Sequence, residues 1–345
     1  MSTESTPSPP AGGGAGAAAL PGSAARSQGR IPPWVGPFFQ RYGVLLAFVI
    51  VIVFFTAERT SEFASLNNLR DVLNNASSLA VMAAVLTVPM IMGDFDLSVG
   101  YNTQVLGAIA VTFMAFDHFA TGTSIILSII IGAAIGIALG ALIAWSKVSA
   151  FVITLGAGIF LSGIELRITN SKTVFSGLSQ SYINLANDKF LSFTLPVWIA
   201  LAVALLLWYV TRHTVLGRRM AAVGGNQEAA RLSGINVEVM RTAGFMFVGI
   251  GAAVAAIIIT SQAASDYPGA AVGLLIPAYA GVFLGAAVLR PGEFHIWGTM
   301  IGVLFLEIIQ NGLTIMNFSA STTNVVEGAI FIVAVLMSRI GRRRA

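Results

Sequence analysis

Ten stretches of this chain, each near the length of a membrane-crossing helix, are built almost entirely from apolar residues. A bilayer's hydrocarbon core takes roughly 20 residues of helix, and inside it every backbone polar group must be bonded within the segment or the protein. Read on that length, the spans fall at about 38–57, 77–93, 99–116, 123–145, 150–168, 193–210, 241–262, 272–289, 295–316 and 323–338. Only Gly93-Asp-Phe-Asp-Leu-Ser98 separates the second from the third. Only 10% of residues are charged, against about 25% in a soluble domain, which excludes a soluble globular fold. The expected fold is an all-α integral membrane protein with about ten transmembrane helices.

Charge orients the bundle. With ten spans and the N-terminus inside, Arg26, Arg30, Arg41, Lys147, Arg212, Arg218, Arg219, Arg231, Arg241, Arg290, Arg339, Arg342, Arg343 and Arg344 share one side; Arg59, Arg70, Arg167, Lys172 and Lys189 take the other. Fourteen against five is a positive-inside bias, placing both termini in the cytoplasm. It also accounts for a pI of 9.7 without any nucleic-acid partner. Residues 1–35, rich in Ser, Pro, Ala and Gly, are expected to be a disordered cytoplasmic tail, because they offer too little apolar surface to offset the cost of ordering. The expected transmembrane domain covers 36–340, followed by a basic cytoplasmic end at 341–345. Gly132, Gly136 and Gly140 recur every fourth residue and predict close helix packing.

Little in the chain resembles catalytic machinery. It has no cysteine, so no thiolate metal site or cysteine nucleophile. His118, His213 and His295 fall near span ends, where solvated imidazoles are expected. No Gly-Lys dipeptide occurs, so the usual phosphate-cradling loop is absent and any ATP must be bound by another chain. The expectation is a non-enzyme with no metal and no cofactor of its own.

Acids within apolar sequence are costly and are therefore candidates for a pathway. Asp94 and Asp96 flank Phe95 in the break; they either line an aqueous cavity or sit on a solvated turn. Asn102 and Gln104 follow and carry amides suited to a hydroxylated ligand. Glu307 and Asn311 are four residues apart, on one helix face with Gln310. That face, with Glu327, points to a pathway or to interhelical hydrogen bonding. Glu165 and Arg167 are expected to snorkel outward.

The loop 211–240 holds a long polar segment, Val223–Ile235. Gly224 and Gly225 give a flexible approach, Asn226 is a good N-cap, and Glu228 sits in the first turn, where a negative charge suits the helix dipole. Gly234 is a left-handed stop, and Asn236 caps the next helix. The pattern predicts a short helix, a glycine corner and another helix.

Glu228-Ala229-Ala230, three residues, then Gly234 resembles the Glu-Ala-Ala-x3-Gly signature of permease subunits of ATP-binding-cassette importers. The wider string AVGGNQEAARLSGINV is similar to permeases for ribose, xylose and arabinose. Asp96-Leu-Ser-Val-Gly100 and Lys147-Val-Ser-Ala-Phe-Val-Ile-Thr-Leu-Gly156 resemble two further motifs of that branch. The chain departs from the branch at Gly93-Asp94, where Gly-Gly is usual, and at Leu284–Glu293. The resemblance implies a permease-type bundle that moves a monosaccharide or polyol across the bacterial cytoplasmic membrane by alternating access. It implies that Gly224, Gly225, Asn226, Glu228, Ala229, Ala230, Arg231, Leu232 and Gly234 dock a cytoplasmic ATPase subunit, which uses ATP and magnesium. It further implies a second permease subunit, identical or similar, and an extracytoplasmic sugar-binding protein, in a setting of membrane lipid. The alternatives are a related permease for branched-chain amino acids or nucleosides, and an ion-coupled secondary transporter.

Overall fold

A computed structural model describes residues 35–290 and 292–342, with side chains over 43–290 and 292–336. The expected tail before residue 35, with Arg26 and Arg30, and the end with Arg343 and Arg344 lie outside the described residues, as do the side chains of Arg41, Arg339 and Arg342 and the whole of Pro291.

The chain opens with α1 (Val35–Glu58), a short α2 (Thr60–Phe63), α3 (Leu66–Ile91), α4 (Val99–Ala115), α5 (Thr121–Ser146) and α6 (Ala150–Ile168). An excursion follows, with α7 (Gln180–Asn187) and a hairpin of β1 (Lys189–Phe190) and β2 (Phe193–Thr194), antiparallel with Lys189 opposite Thr194. Then come α8 (Leu195–His213), α9 (Val215–Gly225), α10 (Gln227–Leu232), α11 (Val237–Ala263), a 3-10 turn (Val272–Leu274), α12 (Leu275–Gly285), α13 (Ile296–Ile315) and α14 (Ala320–Arg342). Six helices have the length and hydropathy to cross a membrane; the apolar parts of α1, α4, α12 with its 3-10 turn, and α14 are shorter. Together they match the ten expected spans, and among the described residues β structure is confined to the two-residue strands and one antiparallel bridge between Val174 and Asp266.

The second span begins at Leu66 rather than 77. Ser65 caps it by accepting from Asn68 N–H at 3.1 Å, and its first turns carry Asn67, Asn68, Arg70, Asp71, Asn74 and Asn75. A count of apolar residues does not register polar turns of this kind.

At the centre, α3 is buried almost continuously from Ala76 to Met90 and touches α8, α11, α12 and α13. By contrast α5, α6 and α8 expose large apolar side chains such as Ile130, Phe160 and Leu206, as lipid-facing helices do. The expected glycine stripe is a helix contact. A Cβ at Gly132 or Gly136 would overlap the carbonyl oxygens of Gly249 and Phe245, and one at Gly140 would lie 2.7 Å from Thr242 Cα. So α5 and α11 cross with their backbones nearly touching. A second such seam joins α12 to α13, where Gly281 and Gly285 meet Gly302 and Gly298.

Candidate functional site

The polar loop folds into a corner built by local capping. Thr214 Oγ1 accepts from Gly217 N–H at 3.3 Å and starts α9. Asn226, in extended backbone, accepts from Glu228 N–H and Ala229 N–H, each at 3.0 Å, and starts α10. Gly234 takes φ +81°, closing α10 as expected, while Ile235 N–H donates to Ala230 O at 3.0 Å. Asn236 Oδ1 then accepts from Val239 N–H at 2.9 Å to open α11. Arg231 Nη2 reaches Glu238 Oε1 at 2.6 Å, fastening α10 to the first turn of α11.

One expectation is corrected here. Gly224 and Gly225 form the last turn of α9 rather than a flexible approach. At Gly224 a Cβ would overlap the Ile91 carbonyl oxygen, so this glycine lets α9 lie directly against the end of α3; Gly225 has open space. Val223 and Ala230 face inward, whereas Glu228, Ala229 and Leu232 face outward, Leu232 being 85% exposed.

The break between α3 and α4 lies beside this corner. Pro89 removes an N–H from the last turn of α3, Asp94 N–H returns to Pro89 O at 3.0 Å, and Gly93 at φ +85° turns the chain. Asp94 and Asp96 are both buried, which corrects the solvated-turn reading. Asp94 accepts two hydrogen bonds from one guanidinium: Arg241 Nε at 2.7 Å and Nη2 at 2.6 Å. Nη1 of the same arginine donates to Ile143 O at 3.4 Å, so Arg241 joins α11, the break and the end of α5. Asp96 Oδ1 accepts from Ser98 N–H at 2.8 Å and Ser98 Oγ at 2.5 Å, which fixes the turn that leads into α4. Tyr279 Oη accepts from Asp96 N–H at 2.8 Å, and Thr154 Oγ1 accepts from Leu97 N–H at 3.0 Å. Phe95 remains 40% exposed and rests against the rings of Tyr279 and Phe283 at 6.1 and 6.3 Å between centroids.

The other candidate polar residues separate into distinct places. Gln104 is committed: its Nε2 donates to Tyr267 O at 3.0 Å and Asp266 Oδ1 at 3.4 Å, and its Oε1 accepts from Ala271 N–H at 2.8 Å. It therefore anchors the turn after α11 and presents no free amide. Asn102 is buried with its Oδ1 unpartnered. Glu165 is 2% exposed beside Thr169, which corrects the snorkelling expectation; Arg167 is exposed. Burial, and then the charge of Glu165, push Asp266 up to about 7. Glu307 is buried and Asn311 half-buried with an unpartnered Oδ1, while Gln310 is exposed, so their shared face is not uniformly inward. His295 is no solvated loop-end group either. Its Nδ1 accepts from Gly298 N–H at 2.8 Å, capping α13, so Nε2 carries the proton toward Val288 O at 3.1 Å.

Arg241 and Asp266 were not singled out from the sequence as site residues. The available signals were a lone guanidinium at the mouth of a long apolar run, and a lone acid before Tyr-Pro-Gly.

A bundle of membrane-length apolar helices, with a capped polar corner tied to a broken helix pair, defines a multi-pass membrane protein. Residues 68–335 match the model of the branched-chain amino acid transport system / permease component family, and the chain belongs to that family. It is 32% identical over 294 residues to the ribose import permease protein RbsC of Escherichia coli K12, covering 84% of this chain and 91% of the relative. The Haemophilus influenzae ribose import permease is 30% identical over 305 residues (88% and 94%), and the E. coli D-allose transport system permease protein AlsC 28% over 303 (88% and 93%). No solved structure matches the chain.

Proposed function

We propose that this chain is the membrane-spanning permease subunit of an ATP-driven importer carrying a monosaccharide or related polyol across the bacterial cytoplasmic membrane. The named relatives carry ribose and D-allose, which favours a sugar cargo over an amino acid or a nucleoside. The observation that carries the mechanism is the physical continuity from α10 to the break. Leu232 and Glu228 face outward for a cytoplasmic ATPase subunit. Arg231 transmits displacement to Glu238 on α11, Gly224 bears on the end of α3, and Arg241 grips Asp94. ATP and magnesium are used by that partner, and this chain supplies the moving walls.

In this reading a second permease subunit completes the pathway and an extracytoplasmic binding protein delivers the sugar. Asp94 acts through Arg241 as a positioning residue. Phe95 presents an aromatic face of the kind that packs against sugar C–H groups. The chain contains no cysteine, so Leu232→Cys gives a single reactive thiol. Cross-linking it with the ATPase subunit in the assembled complex should give a joined product whose yield changes with ATP. No product with Leu232→Cys, alongside an intact complex, contradicts the docking assignment.

A further inference from the structure

The ends of α8 and α13 enclose, with α9 and the turn after α12, an open cavity of about 240 Å³. Two indoles stand in its wall. Trp208 lies in the penultimate turn of α8 and Trp297 in the first turn of α13, their rings 6.2 Å apart and inclined at 60°. Indoles one turn from the ends of membrane helices belong at headgroup level. Arg212, in the last turn of α8, also lines the cavity and makes no ion pair among the described residues. Arg290 lines it as well. Its contact with Glu293 is 3.8 Å long between side chains 47% and 69% exposed, a pairing of little strength. His295 adds no charge, because its Nδ1 is occupied as an acceptor from Gly298 N–H.

Arg212 and Arg290 against Glu293 leave one net positive charge, held at the membrane boundary between apolar rings. A phosphodiester satisfies that charge, since guanidinium groups pair with phosphate oxygens in fork geometry. Lipid acyl carbons satisfy the indoles. We propose that this cavity binds the phosphate of an anionic phospholipid with an uncharged glycerol head, with Arg212 and Arg290 on the phosphate and Trp208 and Trp297 against the first acyl carbons. Ala221 of α9 forms part of the wall, so the lipid would rest against the helix that ends at Gly224. The inference rests on the helix ends lying at the membrane surface and is independent of the cargo proposed above.

The test is native mass spectrometry of the full-length chain in mild detergent, offered phosphatidylglycerol and phosphatidylethanolamine in equal amounts. Wild type should retain phosphatidylglycerol preferentially. Arg212→Ala and Arg290→Ala should each weaken retention about fivefold, and the double lysine variant Arg212→Lys/Arg290→Lys, which keeps the charge but loses the fork, should retain more than the double alanine variant and less than wild type. Equal retention of both lipids, or retention unchanged in the double alanine variant, overturns the proposal. Displacement of phosphatidylglycerol by inorganic phosphate alone also overturns it, by identifying the ligand as free phosphate.

Discussion

Arg241 on α11 holds Asp94, at the break between α3 and α4, through two charge-assisted hydrogen bonds of 2.6 and 2.7 Å, with both side chains largely shielded from solvent. The pair joins residues 147 positions apart in sequence. It lies where the corner formed by α9, α10 and the start of α11 meets the broken pair.

Removing one partner leaves a buried charge without compensation, which typically costs about 3–5 kcal/mol. Asp94→Asn and Arg241→Ala should each lower thermal stability in detergent and reduce uptake strongly. The double variant Asp94→Ala/Arg241→Ala should recover much of the stability while transport stays low. Additive stability losses in that double-mutant cycle would show that the two side chains act independently.

Gly224 and Gly225 stand side by side with different surroundings, and alanine separates them. At Gly224 the new methyl meets the Ile91 backbone, which cannot yield without moving α9. A loss of about 1–3 kcal/mol, typical of overpacking, and impaired transport are expected. At Gly225 the methyl enters open space, and helix propensity favours alanine by up to about 1 kcal/mol. Paired uptake and thermal-unfolding measurements check the contrast; equal effects would refute it.

His295 caps α13 only while Nδ1 is unprotonated. Burial, with Arg290 adding to it, holds its pKa below the usual histidine range. Between that depressed value and about 6.5 the unfolded chain binds more protons than the folded one. The cap's contribution, about 1 kcal/mol, is therefore full above pH ~6.5 and is lost as pH falls. Hydrogen exchange at Gly298 N–H should quicken below that pH, beyond the intrinsic trend. His295→Asn, which caps without titrating, should flatten the response.

Asp266 behaves oppositely. Its pKa is raised to about 7 from an ordinary value near 3.9, so its ionisation opposes folding. The stability it permits is intact at acid pH and declines as pH rises through the range ~4–7. Asp266→Asn retains an acceptor for Gln104 and should melt higher than wild type at pH 8, with little difference at pH 4. A constant difference at both values would dissociate the effect from titration.

Much of this architecture was legible in the chain. Asn226, Gly234 and Asn236 act through their nearest neighbours, so capping rules placed α10 and its flanks within a residue or two. The Gly132–Gly136–Gly140 stripe declared a close crossing, although only the fold assigns it to Gly249 and Phe245 of α11. What escaped was long-range or ambiguous in kind. Gly224 reads equally as a hinge or as room for a neighbour. Arg241 counted only as one more basic residue on the cytoplasmic side. Gln104 has the chemistry of a ligand contact, but the turn at Asp266–Ala271 claims both ends of its amide. Polar residues at the start of α3 and the cap at His295 were hidden because hydropathy weighs composition, not partners.

In the proposed function, an ATPase subunit seated at α10 drives the movement of sugar through this chain. The most direct measurement is uptake of radiolabelled ribose and other monosaccharides into proteoliposomes containing the chain with its ATPase subunit, supplied with the binding protein outside and ATP inside. Accumulation should require ATP and the ATPase subunit, and should fall to background with Glu228→Lys while the variant remains in the membrane, as expected for an exposed position. Accumulation driven by an ion gradient in vesicles lacking the ATPase subunit would contradict the account.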